Sequence, residues 1–351
     1  MFPEEFVQRN LVWAEKTDVV YDPFVGRGTT VFQSLLSGFD AVGNDVNPVA
    51  VCVSRAKADP PPLRQLLARI DALERLSVDG IGPTVDLGEL SEFFDNCFAP
   101  STFRQILFLR NALKWRTSRV DAFIGALVLG ALHGESHRTK WCLSNRMPRT
   151  ISTKPGYSVN WWKRHGSTAP VRDTFGILRE LSLYRYASEA PTRRGKIIQC
   201  DTRRAAFRLR NFESRVGLVI TSPPYVDTTD YLEDQWLRIW FLKGPSYHSR
   251  SKRDDRHRSL ASYWSFLTES WAGISPLLRR GAQVVVRIGG KALSFDAAEE
   301  GLLASLRLGL GRPVKLLHSA TSAIAGGQLH SFRPGALGSK HEFDFRFQVD
   351  G

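Results

Sequence analysis

The feature that most constrains the fold is a strand–helix–strand pattern that stops at a triple proline and resumes far along the chain. DVVYDPF at 18–24 predicts a short strand, TTVFQSLLSG at 29–38 a helix ending at a glycine, and DAVGNDVNP at 40–48 a second strand. Such a βαβ beginning favours a parallel sheet. After the prolines at 60–62, strand-like sequence of this type returns only at 196–201. The gap of roughly 135 residues far exceeds an ordinary connection of about 4–6 residues and predicts an insertion.

We predict that residues 60–194 form this insertion, within a sheet domain made of 1–59 and 195–351. Apolar periodicity predicts mostly helix in the insertion. One stretch, 144–166, is rich in Gly, Pro, Ser and Arg and predicts an ordered loop. The predicted helices of the insertion are 63–76, 101–115, 120–134 and 171–187.

The residues after the insertion complete an α/β pattern. EFDFRFQV at 342–349 alternates apolar and polar residues, as an antiparallel edge strand does. The predicted fold class is α/β, with a mostly parallel doubly wound sheet, an antiparallel C-terminal strand and the helical insertion. The further predicted strands are 196–200, 216–221, 282–290 and 313–320, and the further predicted helices are 3–15, 49–58, 230–244, 260–278 and 296–308.

Positive charge is concentrated in the insertion. The formal net charge is +13, and residues 101–165 hold 12 Lys/Arg against two acids, Asp121 and Glu135. The same stretch contains several tryptophans, and cations interleaved with aromatic rings suit phosphates and unstacked bases. A solvated basic face with tryptophans in the core explains the charge equally well.

The composition disfavours several kinds of site. The four cysteines are scattered without a CxxC pair, which suggests neither a zinc site nor a disulfide framework. His133 and His137 have the i, i+4 spacing of metal ligands, but no cysteine or acid completes a set, so we predict no metal. No apolar run approaches the about 20 residues that span a bilayer, and MFPEEFVQRN lacks the apolar core of a signal peptide. We therefore expect a cytoplasmic protein without membrane contact.

DPFVGRGTT at 22–30 joins the first predicted strand to its helix. Gly26 and Gly28 allow the backbone to approach a ligand closely, but the third glycine of a dinucleotide fingerprint and the Gly-Lys-Ser/Thr of a P-loop are both lacking. Asp45 ends the next strand, where an acid can accept both hydroxyls of a ribose. These residues favour a nucleoside-bearing cofactor without a pyrophosphate clamp. A tight turn with a capping aspartate accounts for them equally well.

TSPPY at 221–225 follows the apolar run VGLVI, and its two prolines disfavour continuation of the β-strand. The Pro-Pro corner fixes the direction of the Ser222 hydroxyl and of the Pro223 carbonyl. Two acceptors aimed at one point suit a planar NH₂ group, and they make its nitrogen a better nucleophile by drawing the lone pair out of ring conjugation. Tyr225 can stack on the ring that bears the amine. The alternative is a turn with a core tyrosine.

Together, DPFVGRGTT, NDVNP, the Cys-Asp pair at 200–201 and TSPPY resemble the S-adenosylmethionine-dependent amino-methyltransferases of DNA. That family methylates cytosine N4 or adenine N6, and the Ser form of the corner is more typical of the cytosine-N4 group. The resemblance covers about 1–58 and 196–350. It implies the S-adenosylmethionine methyltransferase type of sheet and S-adenosyl-L-methionine as cofactor.

The resemblance also implies roles for individual positions. Asp45 would hold the ribose, and Asp201 would lie near the adenine amine. FPEEFVQ at 2–8 resembles the family's helix over the methionine moiety, whereas Arg27 stands where the family usually has a small residue. The residues at the cofactor's methionine end and in the glycine loop would be Asp22, Phe24, Gly26, Gly28, Thr29 and Thr30, with Phe2 and Pro3 from the first helix. The residues that hold the target base would be Ser222, Pro223, Pro224 and Tyr225.

An amine inside a duplex is paired, so its base must be flipped out at a cost of a few kcal/mol. Phosphate contacts from the basic insertion would offset this cost, which nominates it as the target-recognition region. Trp161 and Trp162 are predicted to pack rather than intercalate, and Asp227, Thr228 and Asp230 could border the pocket. The predicted DNA-binding residues are Arg146, Arg149, Lys154, Lys163 and Arg164.

The predicted function is therefore a site-specific cytosine-N4 DNA methyltransferase that flips its target base. Adenine-N6 methylation of DNA is the first alternative, and RNA amino-methylation is the second. A non-catalytic DNA-binding module with a relic pocket is an alternative of another class, against which the intact corner and glycines argue. Double-stranded DNA is the expected partner, and a cognate restriction nuclease or defence system stays open.

Overall fold

A single, mostly parallel sheet organises the chain. The computed structural model describes residues 3–79, 87–134, 137–147, 154–188, 190–226, 235–244, 259–290, 293–323 and 341–350. The strands in these ranges are β1 (Val19–Asp22), β2 (Asp40–Asp45), β3 (Lys196–Gln199), β4 (Val216–Thr221), β5 (Leu278–Ile288), β6 (Val314–Ala323) and β7 (His341–Val349). They form one seven-stranded sheet in the order β3-β2-β1-β4-β5-β7-β6. Strands β1 to β5 pair in parallel, whereas β7 runs antiparallel to both of its neighbours. The predicted fold class is confirmed.

Helices cover both faces of the central strands, and every residue of β1 and β4 is buried, including the polar residues Asp22 and Thr221 at their carboxyl ends. Val20 of β1 packs with Phe6 on one face, while Val19 packs with Trp271 on the other. The helices of the described ranges are α1 (Glu4–Asn10), α2 (Thr29–Leu36), α3 (Pro48–Ala58), α4 (Leu63–Asp79), α5 (Ser91–Cys97), α6 (Pro100–Ala112), α7 (Arg119–Ala131), α8 (Pro155–Arg164), α9 (Thr174–Arg185), α10 (Ala205–Arg208), α11 (Trp236–Phe241), α12 (Leu260–Ile274) and α13 (Phe295–Leu310).

Strand β7 lies inside the sheet, so the prediction of an edge strand at 342–349 is wrong. β7 pairs with β5 on one side and with β6 on the other. Phe343, Phe345 and Phe347 are buried on one face, whereas the residues between them are half-buried. The alternation of apolar and polar residues therefore shows that one face of the sheet is polar here. It does not indicate whether the strand lies at the edge or inside the sheet.

The helices of 60–194 pack directly onto the sheet domain. A Cβ atom on Gly125 of α7 would lie 3.3 Å from Cys52 Sγ of α3, so these two helices approach closely. Leu35 of α2 and Phe93 of α5 belong to the same cluster of buried side chains. The helical insertion thus shares its apolar core with the helical layer of the sheet, and its assignment as a separate subdomain stays a prediction.

Two predicted elements differ from the structure. The loop predicted at 144–166 contains helix α8, which begins at Pro155 and buries Val159 and Trp162 one turn apart. Proline is favoured in the first turn of a helix, and the i, i+3 spacing gives the helix its apolar side. The helix predicted at 230–244 is observed only as α11, and 227–234 lie outside the described residues. Among the helices described, none combines the length and apolar character that a membrane crossing requires.

Candidate active site

The carboxyl ends of neighbouring parallel strands bring the predicted site residues to one edge of the sheet. Asp22 ends β1, Asp45 ends β2 and Thr221 ends β4. Strand β1 pairs with both β2 and β4, so the glycine turn, Asp45 and the corner at 222–225 share this edge. Ligands bind at this edge in open α/β sheets.

Two glycines in left-handed backbone shape the turn from β1 into α2. The φ angles are 48° at Gly26 and 78° at Gly28. A Cβ atom on Gly28 would lie 2.9 Å from Ser54 Oγ and 3.2 Å from Ser54 Cα. The Ser54 hydroxyl also donates to the Gly26 carbonyl at 2.8 Å. The turn is therefore closed against α3 at Gly28, whereas a Cβ atom at the half-buried Gly26 would meet only the Phe24 carbonyl, at 3.8 Å.

Asp45 is held by the glycine turn itself. Its Oδ2 accepts from the Gly26 N–H at 3.0 Å, and its Oδ1 accepts from the Asn47 N–H at 2.9 Å. Burial raises the pKa of Asp45, and the bonds from Asn47 and Gly26 act in the opposite direction. Each carboxylate oxygen has two lone pairs, so this half-buried group can accept further bonds from hydroxyls at the edge.

Asp22 links the glycine turn to the Pro-Pro corner. Its Oδ1 accepts from Thr221 Oγ1 at 2.7 Å and from the Phe24 N–H at 3.1 Å. Burial raises the pKa of Asp22 to about 6, against the lowering effect of the bonds from Thr221 and Phe24. A second link runs from Thr30 Oγ1 to the Ile220 carbonyl at 3.1 Å. The start of α2 and the end of β4 are thus fixed to each other.

The corner itself stands partly open at the sheet edge. Pro223 is buried, while Ser222, Pro224 and Tyr225 are half-buried. The Tyr225 hydroxyl donates to Glu342 Oε1 at 2.7 Å. Burial, followed by the charge of Glu342, raises the pKa of Tyr225, so its phenol keeps its proton.

A buried arginine supports Tyr225 from β5. Arg287 is 4% exposed, and its Nε and Nη2 donate to the two oxygens of Asp344 at 2.6 and 2.7 Å. Its Nη1 lies 3.3 Å from Glu342 Oε2, and its guanidinium carbon lies 4.1 Å from the centroid of the Phe6 ring. Sequence reasoning missed Arg287 and Glu342. The available signal was the polar half of the alternating pattern at 342–349.

Sequence analysis also missed Asn44, whose hydrogen bonds connect three parts of the site. It is fully buried in β2 and accepts from the Tyr21 hydroxyl. Its amide donates to the carbonyls of Pro23 and Cys200, each at 3.2 Å, and to Thr202 Oγ1 at 3.1 Å. A polar amide beside Asp45 in an otherwise apolar strand was the signal that could have revealed it.

Asp201 follows β3 at the same edge, but its carboxylate is already engaged. It caps the short helical turn Thr202–Arg204 through the Arg203 N–H at 3.0 Å. The Arg203 side chain pairs with it at 2.8 Å and reaches Glu269 at 3.0 Å. A role for Asp201 toward an adenine amine therefore requires it to share its oxygens with Arg203.

The remaining cofactor candidates lie around the turn. Phe24 is half-buried, with its ring centroid 5.8 Å from that of Phe266, and Thr29 opens α2. Pro3 is exposed at the start of α1, and Phe2 lies outside the described residues. The structure thus places Phe24 and Thr29 at the turn, and the roles of all four residues stay predictions.

The predicted DNA-binding residues gather around α8. Arg146 is exposed, with its guanidinium carbon 5.7 Å from the Trp161 ring centroid. Its carbonyl accepts from Trp162 Nε1 at 2.7 Å. Trp162 is 1% exposed, so the prediction that it packs is confirmed for that residue.

The other basic candidates differ in their surroundings. Lys163 is exposed and pairs with Glu92 of α5. Arg164 is exposed in the last turn of α8, and Lys154 is half-buried just before that helix. Arg149, Asp227, Thr228 and Asp230 lie outside the described residues. DNA contact by these side chains stays a prediction.

Within the described ranges, no cluster of three or more His, Cys, Asp or Glu residues is arranged to hold a metal ion. Burial and the charge of Arg238 hold the pKa of His133 well below its usual value. His137 is exposed on the following turn.

Comparisons with known proteins give one sequence relative and a set of distant structural neighbours. No protein-family model matches the chain. The chain is 32% identical over 71 residues to the type II methyltransferase M.MvaI of Kocuria varians, a match that covers 20% of this chain and 16% of that protein. The rRNA methyltransferase AviRa of Streptomyces viridochromogenes gives a TM-score of 0.35 at 12% identity, covering 99% of this chain and 85% of that one. An S-adenosylmethionine-dependent methyltransferase of Methanosarcina mazei gives 0.37 at 8% identity, with coverages of 100% and 98%.

Proposed function

We propose that this chain is an S-adenosylmethionine-dependent methyltransferase that acts on the N4 amine of cytosine in double-stranded DNA. The observation that carries the proposal is the hydrogen bond from Thr221 Oγ1 to Asp22 Oδ1 at 2.7 Å. It sets the Pro-Pro corner beside the glycine turn. The sequence similarity to a type II methyltransferase supports DNA as the substrate. A restriction nuclease or defence system as a further partner stays a prediction from the sequence.

The residues of the turn fit S-adenosylmethionine. Gly28 has no room for a Cβ beside Ser54, and the Gly26 backbone is held by the carboxylate of Asp45. Asp45 would hold the ribose hydroxyls, while Asp22 and Phe24 would line the methionine end. When bound, this cofactor supplies an electrophilic methyl group on a positively charged sulfur.

The corner provides the groups that activate the target amine. The Ser222 hydroxyl oxygen and the Pro223 carbonyl each accept a hydrogen bond from one N–H of the target amine. Together these two bonds fix the orientation of its nitrogen. These bonds strengthen as positive charge develops on the nitrogen, so they stabilise the transition state more than the ground state. The Tyr225 ring flanks the base. The amine proton leaves to water after the transfer.

The target base reaches this corner by flipping out of the duplex. Unstacking costs a few kcal/mol, and cationic side chains that contact phosphates offset it. Arg146 and Arg164 are exposed cations of the insertion that can supply such contacts. This assigns recognition of DNA to the surface around α8.

Expression in a host without DNA methylation tests the proposal. Mass spectrometry of the digested DNA is expected to show N4-methylcytosine, and Ser222→Ala is expected to abolish it while S-adenosylmethionine binding persists. N6-Methyladenine would indicate the first alternative, and methylated RNA nucleosides the second. Cofactor binding without transfer to any nucleic acid would overturn the enzyme proposal and favour a DNA-binding module.

A further inference from the structure

A cavity of about 200 Å³ lies where the end of α3, the start of α7 and the start of β3 meet. Arg55 lines it from the last turns of α3, and Asp59 follows that helix directly. Arg119 and Ala122 line it from the first turn of α7, and Ile197 lines it from β3. The cavity therefore brings charged side chains of the sheet domain and of the insertion together.

This cavity lies at the opposite end of α3 from the candidate active site. The helix begins at Pro48, three residues after Asp45, and ends at Ala58. Its 11 residues span about 16 Å at a rise of 1.5 Å each. The groups around the cavity thus belong neither to the proposed cofactor site nor to the proposed base site.

Arginines outnumber carboxylates around the cavity. Arg119 Nη1 lies 3.2 Å from Asp59 Oδ1, and Arg194 Nε lies 3.3 Å from the same oxygen. Arg55 pairs with no carboxylate among the residues that the structure describes, and its Nη1 donates to the Arg116 carbonyl at 2.6 Å. Three positive charges thus surround one negative charge, which leaves a formal charge of +2.

Both arginines that line the cavity keep N–H groups for a ligand. A guanidinium carries five N–H groups. Arg119 uses one toward Asp59 and one toward the Pro60 carbonyl at 3.3 Å. Arg55 uses only Nη1, toward two backbone carbonyls. Its Nε and Nη2 have no partner within the described ranges, and two such adjacent nitrogens can bind a phosphate through parallel hydrogen bonds.

Lys196 also lines the cavity, but its ammonium group lies elsewhere. Its Nζ is 5.7 Å from the centroid of the Phe212 ring. Ile197 belongs to the core cluster on the α3 side of β3, whereas Ile198 packs against the cluster on the other side. Alternation along the strand places Lys196 on the same side as Ile198. The positive charge at the cavity therefore comes from the arginines.

We propose that this cavity binds a phosphate dianion, either as free phosphate or as the phosphomonoester group of a small molecule. Two negative charges balance the formal charge of +2, whereas a phosphodiester of a nucleic-acid backbone carries only one. The cavity has room for several water molecules and hence for one phosphate group. The inference is independent of the proposed function, because the site shares no residue with the candidate active site.

Calorimetric titration at pH 8 and constant ionic strength tests the class of ligand. The titrants are inorganic phosphate, methyl phosphate and dimethyl phosphate. The two dianions are expected to bind about tenfold or more tightly than dimethyl phosphate, since the diester lacks one charge for the hydrogen bonds from arginine. Tighter binding of inorganic phosphate than of methyl phosphate would assign the site to free phosphate, and the reverse order would assign it to a phosphomonoester.

Two variants are expected to change phosphate affinity in opposite directions. Arg55→Gln removes a cation and is expected to weaken binding about tenfold. Asp59→Asn removes the competing anion and is expected to strengthen binding, which a purely structural role of Asp59 would not produce. Arg193→Gln is the matched control, because Arg193 pairs one to one with Asp40 at 2.6 Å and is expected to leave the affinity unchanged.

The unaltered protein carries the test if a variant does not fold. Phenylglyoxal modifies arginines, and mass spectrometry of the digested protein identifies the modified positions. Phosphate is expected to protect Arg55 and Arg119 but not Arg193. The inference is overturned by any of three results: no binding of either dianion, equal affinity for dimethyl phosphate, or phosphate binding that neither Arg55→Gln weakens nor Arg55 protection accompanies.

Discussion

Thr221 Oγ1 and Asp22 Oδ1 are 2.7 Å apart, and this bond joins the last residue of β4 to the last residue of β1. The corner begins at the next residue after Thr221, and the glycine turn begins at the next residue after Asp22. One buried hydrogen bond therefore sets the distance between the part of the site that would bind the methyl donor and the part that would bind the base.

Thr221→Val is expected to weaken both stability and activity. The substitution keeps the shape of the side chain but removes one donor to the buried carboxyl of Asp22, which then accepts from the Phe24 N–H without the Thr221 hydroxyl. Loss of one hydrogen bond to a buried group costs about 1–3 kcal/mol of unfolding free energy. Chemical denaturation followed by tryptophan fluorescence measures this cost. Thr221→Ser retains the hydroxyl and is the control; equal losses in both variants would show that the bond to Asp22 is unimportant.

Stability is expected to fall as the pH rises from about 4 to 6. The pKa of Asp22 is raised from 3.8 to about 6, so the folded state holds this proton more tightly than the unfolded chain does. The stabilisation is complete below pH 4 and lost above pH 6, with a size of about 3 kcal/mol. Denaturation at several pH values compares the protein with Asp22→Asn, which is expected to lack this component. Parallel pH profiles for the two would contradict the assignment.

Gly28→Ala is expected to reduce S-adenosylmethionine affinity and to cost more stability than a positive φ angle alone explains. A Cβ atom there would lie 3.2 Å from Ser54 Cα, so α3 has to move away from the turn. Gly38→Ala is the matched control, because Gly38 has a φ of 83° with nothing within 4 Å of a Cβ. It is expected to cost only about 1 kcal/mol, the cost of left-handed backbone. Thermal unfolding measures the loss of stability, and calorimetric titration measures the loss of affinity. Equal losses of stability in Gly28→Ala and Gly38→Ala would show that the contact with Ser54 has no effect.

Asp45→Asn is expected to weaken S-adenosylmethionine binding about tenfold or more, since a charge-assisted bond to a ribose hydroxyl is lost. Asp40→Asn at the other end of β2 is the control, because Asp40 pairs with Arg193 away from the candidate site. Isothermal titration gives both dissociation constants. An unchanged constant for Asp45→Asn would remove this residue from the cofactor site.

Arg146→Ala and Arg164→Ala are each expected to weaken DNA binding for all sequences and to lower the salt slope by about 1. Lys163→Ala is expected to have a smaller effect, because its ammonium group already faces Glu92. Binding to one duplex between about 50 and 200 mM salt gives the slopes. If none of the three variants changes the slope, DNA binds elsewhere.

The sequence predicted the sheet domain well because each strand near the site is short, apolar and followed by a distinctive turn. The spacing of Gly26 and Asp45 and the TSPPY corner could be recognised from the sequence without knowledge of the tertiary structure. Arg287 and Glu342 were not predictable in the same way, since they are far apart in sequence and meet only through the pairing of β5 with β7. The helix at Pro155 was missed because its Gly- and Arg-rich surroundings resemble a loop.

The position of β7 has a consequence for synthesis. The strand follows β6 in the chain, yet it lies between β5 and β6, and it carries the acceptor for Tyr225. A nascent polypeptide that has reached only residue 323 has both neighbours but not the strand that separates them. The Tyr225 hydroxyl of the corner thus gains its acceptor Glu342 only once β7 has been synthesised and has entered the sheet.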